Sequence, residues 1–99
     1  MKCYAYDAFF ETIANKTRLE MIDALKDKSM SVSELCNTLN QEQSKISHNL
    51  KILTDCRVLY VKKKGKQRIY SVNKETILPL IKLVEEHVRK NCKTCSKRK

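Results

Sequence analysis

Gly65 is the only glycine in the chain, and it sits in a basic stretch, Lys62-Lys63-Lys64-Gly65-Lys66-Gln67-Arg68. The apolar run Leu59-Tyr60-Val61 precedes this stretch, and Ile69-Tyr70-Ser71-Val72 follows it. β-Branched and aromatic runs that close on a glycine-containing turn predict a β-hairpin, because glycine takes the positive φ of a tight turn without steric cost. This hairpin carries five lysines or arginines on its tip and legs. Such a charge density is badly placed for a core and well placed against an anionic surface.

Composition narrows the class of that surface. Ninety-nine residues make one domain with a modest core, and 41% hydrophobic with 32% charged residues is globular rather than disordered. The net charge of +10 is uneven: residues 1–40 carry net −1, residues 41–74 net +7 and residues 75–99 net +4. Concentration of cations on one segment points to an anionic partner, with nucleic acid ahead of membrane. No apolar run approaches the ~20 residues of a membrane span. Met1-Lys2-Cys3-Tyr4-Ala5-Tyr6-Asp7 is too polar and acidic for a signal peptide. The expected location is therefore the cytoplasm, where the five cysteines would be reduced.

Helical periodicity fills most of the remainder. A first helix is expected over residues 4–14, with Ala5, Ala8, Phe9, Thr12 and Ile13 inward. Asn15 or Thr17 can cap a second, with Leu19, Ile22 and Leu25 inward, and Asp27-Lys28-Ser29 breaks the pattern. Ser31-Val32-Ser33-Glu34 is a capping box opening a short third helix with Leu35, Cys36 and Leu39 inward. After the turn Asn40-Gln41-Glu42, a fourth helix over residues 43–56 buries Ile46, Leu50 and Leu53. A last helix over residues 75–91 carries the stripe Ile77, Leu80, Ile81, Val84 and Val88, with Pro79 confined to its first turn. The expected fold is mostly α with a small β-hairpin: a winged helix-turn-helix.

A helix that reads DNA needs short polar side chains near base edges and long cations to reach phosphates. Gln43, Ser44, Lys45, Ser47, His48 and Lys51 meet that need. The same residues would also serve as the wet face of an ordinary amphipathic helix; the basic hairpin directly after them favours DNA. In the hairpin, Lys64, Lys66 and Arg68 are the expected phosphate or minor-groove contacts, ahead of Lys62 and Lys63. Strand alternation turns these side chains to both faces, so not all of them can reach one duplex.

Three stretches of the chain resemble the ArsR family of dimeric winged-helix repressors. Ile13-Ala14-Asn15-Lys16-Thr17-Arg18-Leu19, running on to Leu25, is similar to the family's opening, and Ser33-Glu34-Leu35-Cys36-Asn37-Thr38-Leu39 to its short third helix. Gln43-Ser44-Lys45-Ile46-Ser47-His48-Asn49-Leu50-Lys51-Ile52-Leu53, with the hairpin to Tyr70, resembles its recognition helix and wing. The resemblance implies a homodimer built on the first and last helices, bound to a partly palindromic operator and released by a metal ion or other effector. Asn49 stands where the family commonly has histidine, and Cys56-Arg57 where it usually has Ala-Gly, so Arg57 is expected to change the helix exit. Cys36 matches the first cysteine of the family's arsenic-type site, but Thr38 occupies the second, and the family's last-helix metal site is not recognisable.

Cys92-Lys93-Thr94-Cys95 has metal-like spacing, since thiolates at i and i+3 can clamp a soft tetrahedral ion such as Zn²⁺. His87 and Cys3 are the candidate further ligands, although on a continuous helix His87 lies about 140° from Cys92. A redox dithiol and a plain basic tail are the other readings of the pair, and His87 equally suits an interface. Cys36 and Cys56 read as small buried residues. The chain thus divides into a DNA-binding and dimerisation domain over residues 1–91 and a basic tail over 92–99. Constitutive or general DNA binding, and a thiol-redox or metal-binding protein, are the alternative functions. No glycine-rich phosphate loop or catalytic triad supports an enzyme or a small-molecule substrate.

Overall fold

The computed structural model describes residues 6–91. Its elements run α1 (Tyr6–Ile13), α2 (Lys16–Leu25), β1 (Met30–Ser31), α3 (Val32–Leu39), α4 (Gln43–Asp55), β2 (Leu59–Lys64), β3 (Gln67–Val72) and α5 (Ile77–Asn91). Local chemistry sets most of the boundaries. Asn15 caps α2 by accepting from the Arg18 amide at 3.1 Å. Both halves of the expected capping box form at α3: Ser31 Oγ accepts from the Glu34 amide at 3.3 Å, and Glu34 Oε1 accepts from the Ser31 amide at 2.9 Å. Asn40 ends α3 in the left-handed region, at φ 55°. Asn73 Oδ1 accepts from the amides of Glu75 and Thr76 and so organises the entry to α5. Pro79 then falls in the first turn of α5, where no helical hydrogen bond is lost.

The strands form an antiparallel sheet in the order β1-β3-β2. The hairpin closes Lys64 onto Gln67, with Gly65 at φ 63° as the first central residue of a two-residue turn. β1 is an addition to the expected two-stranded wing. Met30 and Ser31 pair with Tyr70 and Ile69, so the residues that open α3 also fasten the wing to the body. The core under this sheet is built by Met21, Ile22, Leu35, Ile46, Leu50, Leu53, Val58 and Leu59. Helices α3 and α4, joined by a three-residue turn and followed by the hairpin, make the molecule a winged helix-turn-helix.

Three expectations about packing change. Leu19, read as a core residue, is 43% exposed, while Met21 is fully buried in its place. Leu19 instead lines a groove between α2 and α5 with Ile81 and Val84. Cys36 and Cys56 are half-buried against the edge of the core rather than enclosed within it. Arg57 does not alter the helix exit. It takes φ 60°, the conformation that favours glycine, while its amide donates to Thr54 O at 3.0 Å and the Val58 amide to Leu53 O at 2.9 Å. This is the Schellman closure, with Val58 packed in the same core cluster as Leu53. A β-carbon in the left-handed region costs about 1–2 kcal/mol, partly offset by the greater entropy of an unfolded glycine. Arg57→Gly is therefore expected to stabilise the domain by about 0.5–1 kcal/mol, a rise of roughly 2–5 °C in Tm, measurable by thermal circular dichroism.

α5 is tied down at both ends of its first half. The buried Asn73 donates from Nδ2 to Arg57 O at 2.9 Å, linking the α4 exit to the α5 entry. Lys26 Nζ meets Glu85 at 2.8 Å and Asp23 at 3.0 Å, bridging α2 to α5. Hydrogen bonds to Glu85 and then Asp23 hold the Lys26 ammonium above the ordinary lysine value. A raised folded-state value means that this tie is fully present below the ordinary lysine pKa and is lost only as pH climbs past it. Apolar surface remains uncovered on both outer helices: Tyr6 (87%) and Phe10 (51%) on α1, and Leu83 (64%) and Val84 (46%) on α5.

Candidate nucleic-acid interface

The outward arc of α4 is polar from end to end. At 100° per residue, Ser44, Ser47, His48 and Lys51 fall within an arc of about 100°, bordered by Gln43 and Lys45. All six are exposed, whereas Ile46, Leu50 and Leu53 are buried against the body. The helix is thus held by its apolar face, and its short side chains are left free to approach a groove. Lys51 lies 3.5 Å from Asp55, an exposed i,i+4 pair too weak to withhold the lysine from a phosphate.

Register sorts the wing cations. Leu59, Val61 and Lys63 lie opposite Val72, Tyr70 and Arg68 and share one face of the hairpin. That face is the core face, since Leu59, Tyr70 and Val72 are buried. Lys63 and Arg68 extend it beyond the core toward the tip. Tyr60, Lys62 and Lys64 share the other face with Ser71, Ile69 and Gln67. The expected trio is therefore split: Arg68 lies on the helix side, Lys64 on the far side, and Lys66 in the turn. Lys63, given less weight from the sequence, is the cross-strand partner of Arg68. Two like charges directly opposed destabilise a bare hairpin. Among the described residues no carboxylate lies within 4.0 Å of Lys62, Lys63, Lys64, Lys66 or Arg68. An external anion would remove that repulsion.

Of the proposed thiolate site, Cys3, Cys92 and Cys95 lie outside the described residues. His87 is exposed on α5, and its Nδ1 is 3.5 Å from Asn91 Nδ2. Among the described residues no three His, Cys, Asp or Glu side chains are grouped to hold a metal ion. The α3 positions do not fit an arsenic-type site either: Cys36 packs against the core, and Thr38 donates its hydroxyl to Met30 Sδ at 3.8 Å. No helix among the described residues is long and apolar enough to cross a membrane.

Two contacts here escape a reading of the sequence. Asn49, on the inward side of α4, is only 6% exposed and is bonded to Arg18, 31 positions earlier. Lys63 acquires its place from strand register. Periodicity places Asn49 on the inward stripe and Lys63 on the face of Leu59 and Val61, but neither the Arg18 partner nor the opposed Arg68 is marked by a local motif.

Known proteins share this arrangement. Residues 15–61, which span α2 into the first strand of the wing, match the model of the bacterial regulatory protein, arsR family. The chain is 31% identical over 77 residues to the arsenical resistance operon repressor of Bacillus subtilis, covering 77% of this chain and 73% of that one. It is 26% identical over 83 residues to a transcriptional repressor SmtB homolog of Synechocystis, covering 84% of this chain and 63% of that protein's length. The structure of HlyU from Vibrio cholerae superposes with a TM-score of 0.72 at 26% identity, over 85% of this chain and 88% of that one. With the helix-turn-helix, the wing and the matched sequence in register, the chain belongs to the arsR family of bacterial regulatory proteins.

Proposed function

We propose that the protein is a transcriptional repressor that binds double-stranded operator DNA as a homodimer in the cytoplasm. α4 enters the major groove with Gln43, Ser44, Lys45, Ser47, His48 and Lys51, and the wing follows the flanking backbone. The observation that carries this reading is the wing: five cations without a carboxylate partner among the described residues, next to a polar helix face. Phosphate neutralisation supplies affinity, and short side chains at base edges supply sequence choice. The uncovered Tyr6, Phe10, Leu83 and Val84 support dimerisation through α1 and α5. Two recognition helices must then stand about one DNA turn, ~34 Å, apart to meet two half-sites.

The basic tail over residues 92–99 is the proposed effector segment of this regulator, distinct from the domain over residues 1–91. Its Cys92 and Cys95 thiols, with Cys3 and His87, are the proposed soft-ion ligands, on the support of spacing and donor type alone.

Fluorescence anisotropy of the reduced full chain tests both parts, using DNA from upstream of its own gene and a scrambled duplex. Specific binding to the first duplex is expected, with affinity lost on Zn²⁺ addition and the loss abolished in Cys92→Ser/Cys95→Ser. Specific binding indifferent to Zn²⁺ would remove metal sensing and leave constitutive or redox-controlled repression. Equal binding to both duplexes would replace the operator-specific repressor with a general DNA-binding protein.

A further inference from the structure

Arg18, at the start of α2, makes contacts that reach three helices. Its Nε donates to Asn49 Oδ1 at 2.8 Å, and its Nη1 donates to Thr12 O at 2.8 Å. Its backbone amide donates to Asn15 Oδ1, the α2 cap. Thr12 O belongs to the last turn of α1. The guanidinium thus closes the end of α1 while gripping the middle of α4.

The Asn49 amide leaves no freedom in that grip. Its Oδ1 accepts from Arg18 and its Nδ2 donates to Lys45 O at 2.9 Å. Reversing the amide would set donor against donor and acceptor against acceptor, so its orientation is determined by its neighbours. The other inward side chains of α4, Ile46, Leu50 and Leu53, are apolar. Apolar packing is non-directional and resists separation more than rolling or sliding. Hydrogen bonds are directional, and those through Asn49 set the roll of α4 relative to α1 and α2. Ser47, His48 and Lys51 on the outward arc follow that roll.

We propose that Arg18 is a positioning residue for DNA recognition, acting through Asn49 to set the angle at which α4 presents its polar arc. The inference rests on the DNA-binding reading above. It adds a polar bridge, through the single side chain of Arg18, between the recognition helix and α1, the helix that carries the uncovered Tyr6 and Phe10. A dimer that reads two half-sites must control this roll on both protomers, because base contacts demand tighter geometry than phosphate contacts.

The test separates positioning from folding. A duplex enriched by the wild-type chain from a random library is compared with a scrambled one of equal length and composition. The double variant Arg18→Met/Asn49→Leu removes both partners of the Arg18–Asn49 bond together, so neither is left facing the other unmatched, and the Thr12 carbonyl at the α1 end is left to water. Its melting temperature and its mass in solution are expected to stay near wild type. Its affinity for the enriched duplex is expected to fall about 10- to 100-fold, the equivalent of one or two lost base-pair contacts, with affinity for the scrambled duplex unchanged. Asn49→Asp gives up the donor to Lys45 O, a contact within α4, but keeps the acceptor for Arg18 and strengthens that inter-helix bond by charge, so discrimination is expected to be retained within about threefold. Arg18→Lys, which cannot donate to both partners in the same fork, is expected to lose discrimination as the double variant does. Equal weakening on both duplexes, or full discrimination in the double variant, would overturn the proposal. A wild-type chain that enriches no sequence yet binds DNA would overturn specific recognition and this inference with it, while one that binds no duplex would refute the DNA-binding reading itself.

Discussion

Lys63→Glu combined with Lys66→Glu is expected to weaken DNA binding by about 10³- to 10⁴-fold at 0.1 M salt without lowering the melting temperature. Each phosphate contact releases close to one counterion, and each released ion is worth roughly tenfold at that salt concentration. Two contacts per protomer make four per dimer, so the slope of log affinity against log salt should become shallower by about 3 to 4. Stability should move the other way. Lys63 stands directly opposite Arg68, and a carboxylate there exchanges a repulsive cross-strand pair for an attractive one. Such pairs are worth about 0.2–1 kcal/mol. Salt-titrated anisotropy beside a thermal melt reads both signs at once. Affinity within about threefold of wild type, against the roughly tenfold expected per contact, would show that the wing does not lie on DNA.

Leu50→Ala has the largest expected effect on the fold. Leu50 is fully buried, and it holds α4 to the body with Ile46 and Leu53. Removing such a side chain costs the transfer of its methyl groups and leaves a cavity, together about 2–5 kcal/mol. Domains of this size hold only about 5–15 kcal/mol in all, so Tm should fall by roughly 10–30 °C. Urea melts should shift in midpoint at unchanged slope, because the area exposed on unfolding is nearly the same. Ser47→Ala, three positions away on the exposed arc, should stay within about 0.5 kcal/mol of wild type. A Leu50→Ala variant that melts with wild type would mean that α4 is held by something other than its apolar face.

These contrasts also show where the sequence is readable. Ser31 and Glu34, Asn15, Pro79 and Gly65 announce their roles because each acts on backbone groups within a few residues. The helical stripes of α3 and α4 are equally plain, since burial on one side forces a period of 3.6. Leu19 and Met21 exchange places because a stripe has edges. Leu19 sits about 60° from Ile22, and whether that edge is covered depends on how closely α5 packs. β1 is two residues long, too short to show any alternation, and it exists because β3 lies beside it. Arg57 follows the same logic. Its side chain argues against positive φ, and the Schellman bonds with the core placement of Val58 outweigh that preference.

The sequence by itself determined the five helices and the hairpin, their order, the polar face of α4 and the charge of the wing, because all of these depend on neighbours within a turn or a hairpin. Only the tertiary structure decided which cations share a face, that Asn49 pairs with Arg18 across 31 positions, and that apolar surface on α1 and α5 stays open. The physical reason is range. Capping, periodicity and turn chemistry act over a few residues, whereas register, helix roll and burial are set by groups that the chain brings together only once it has folded.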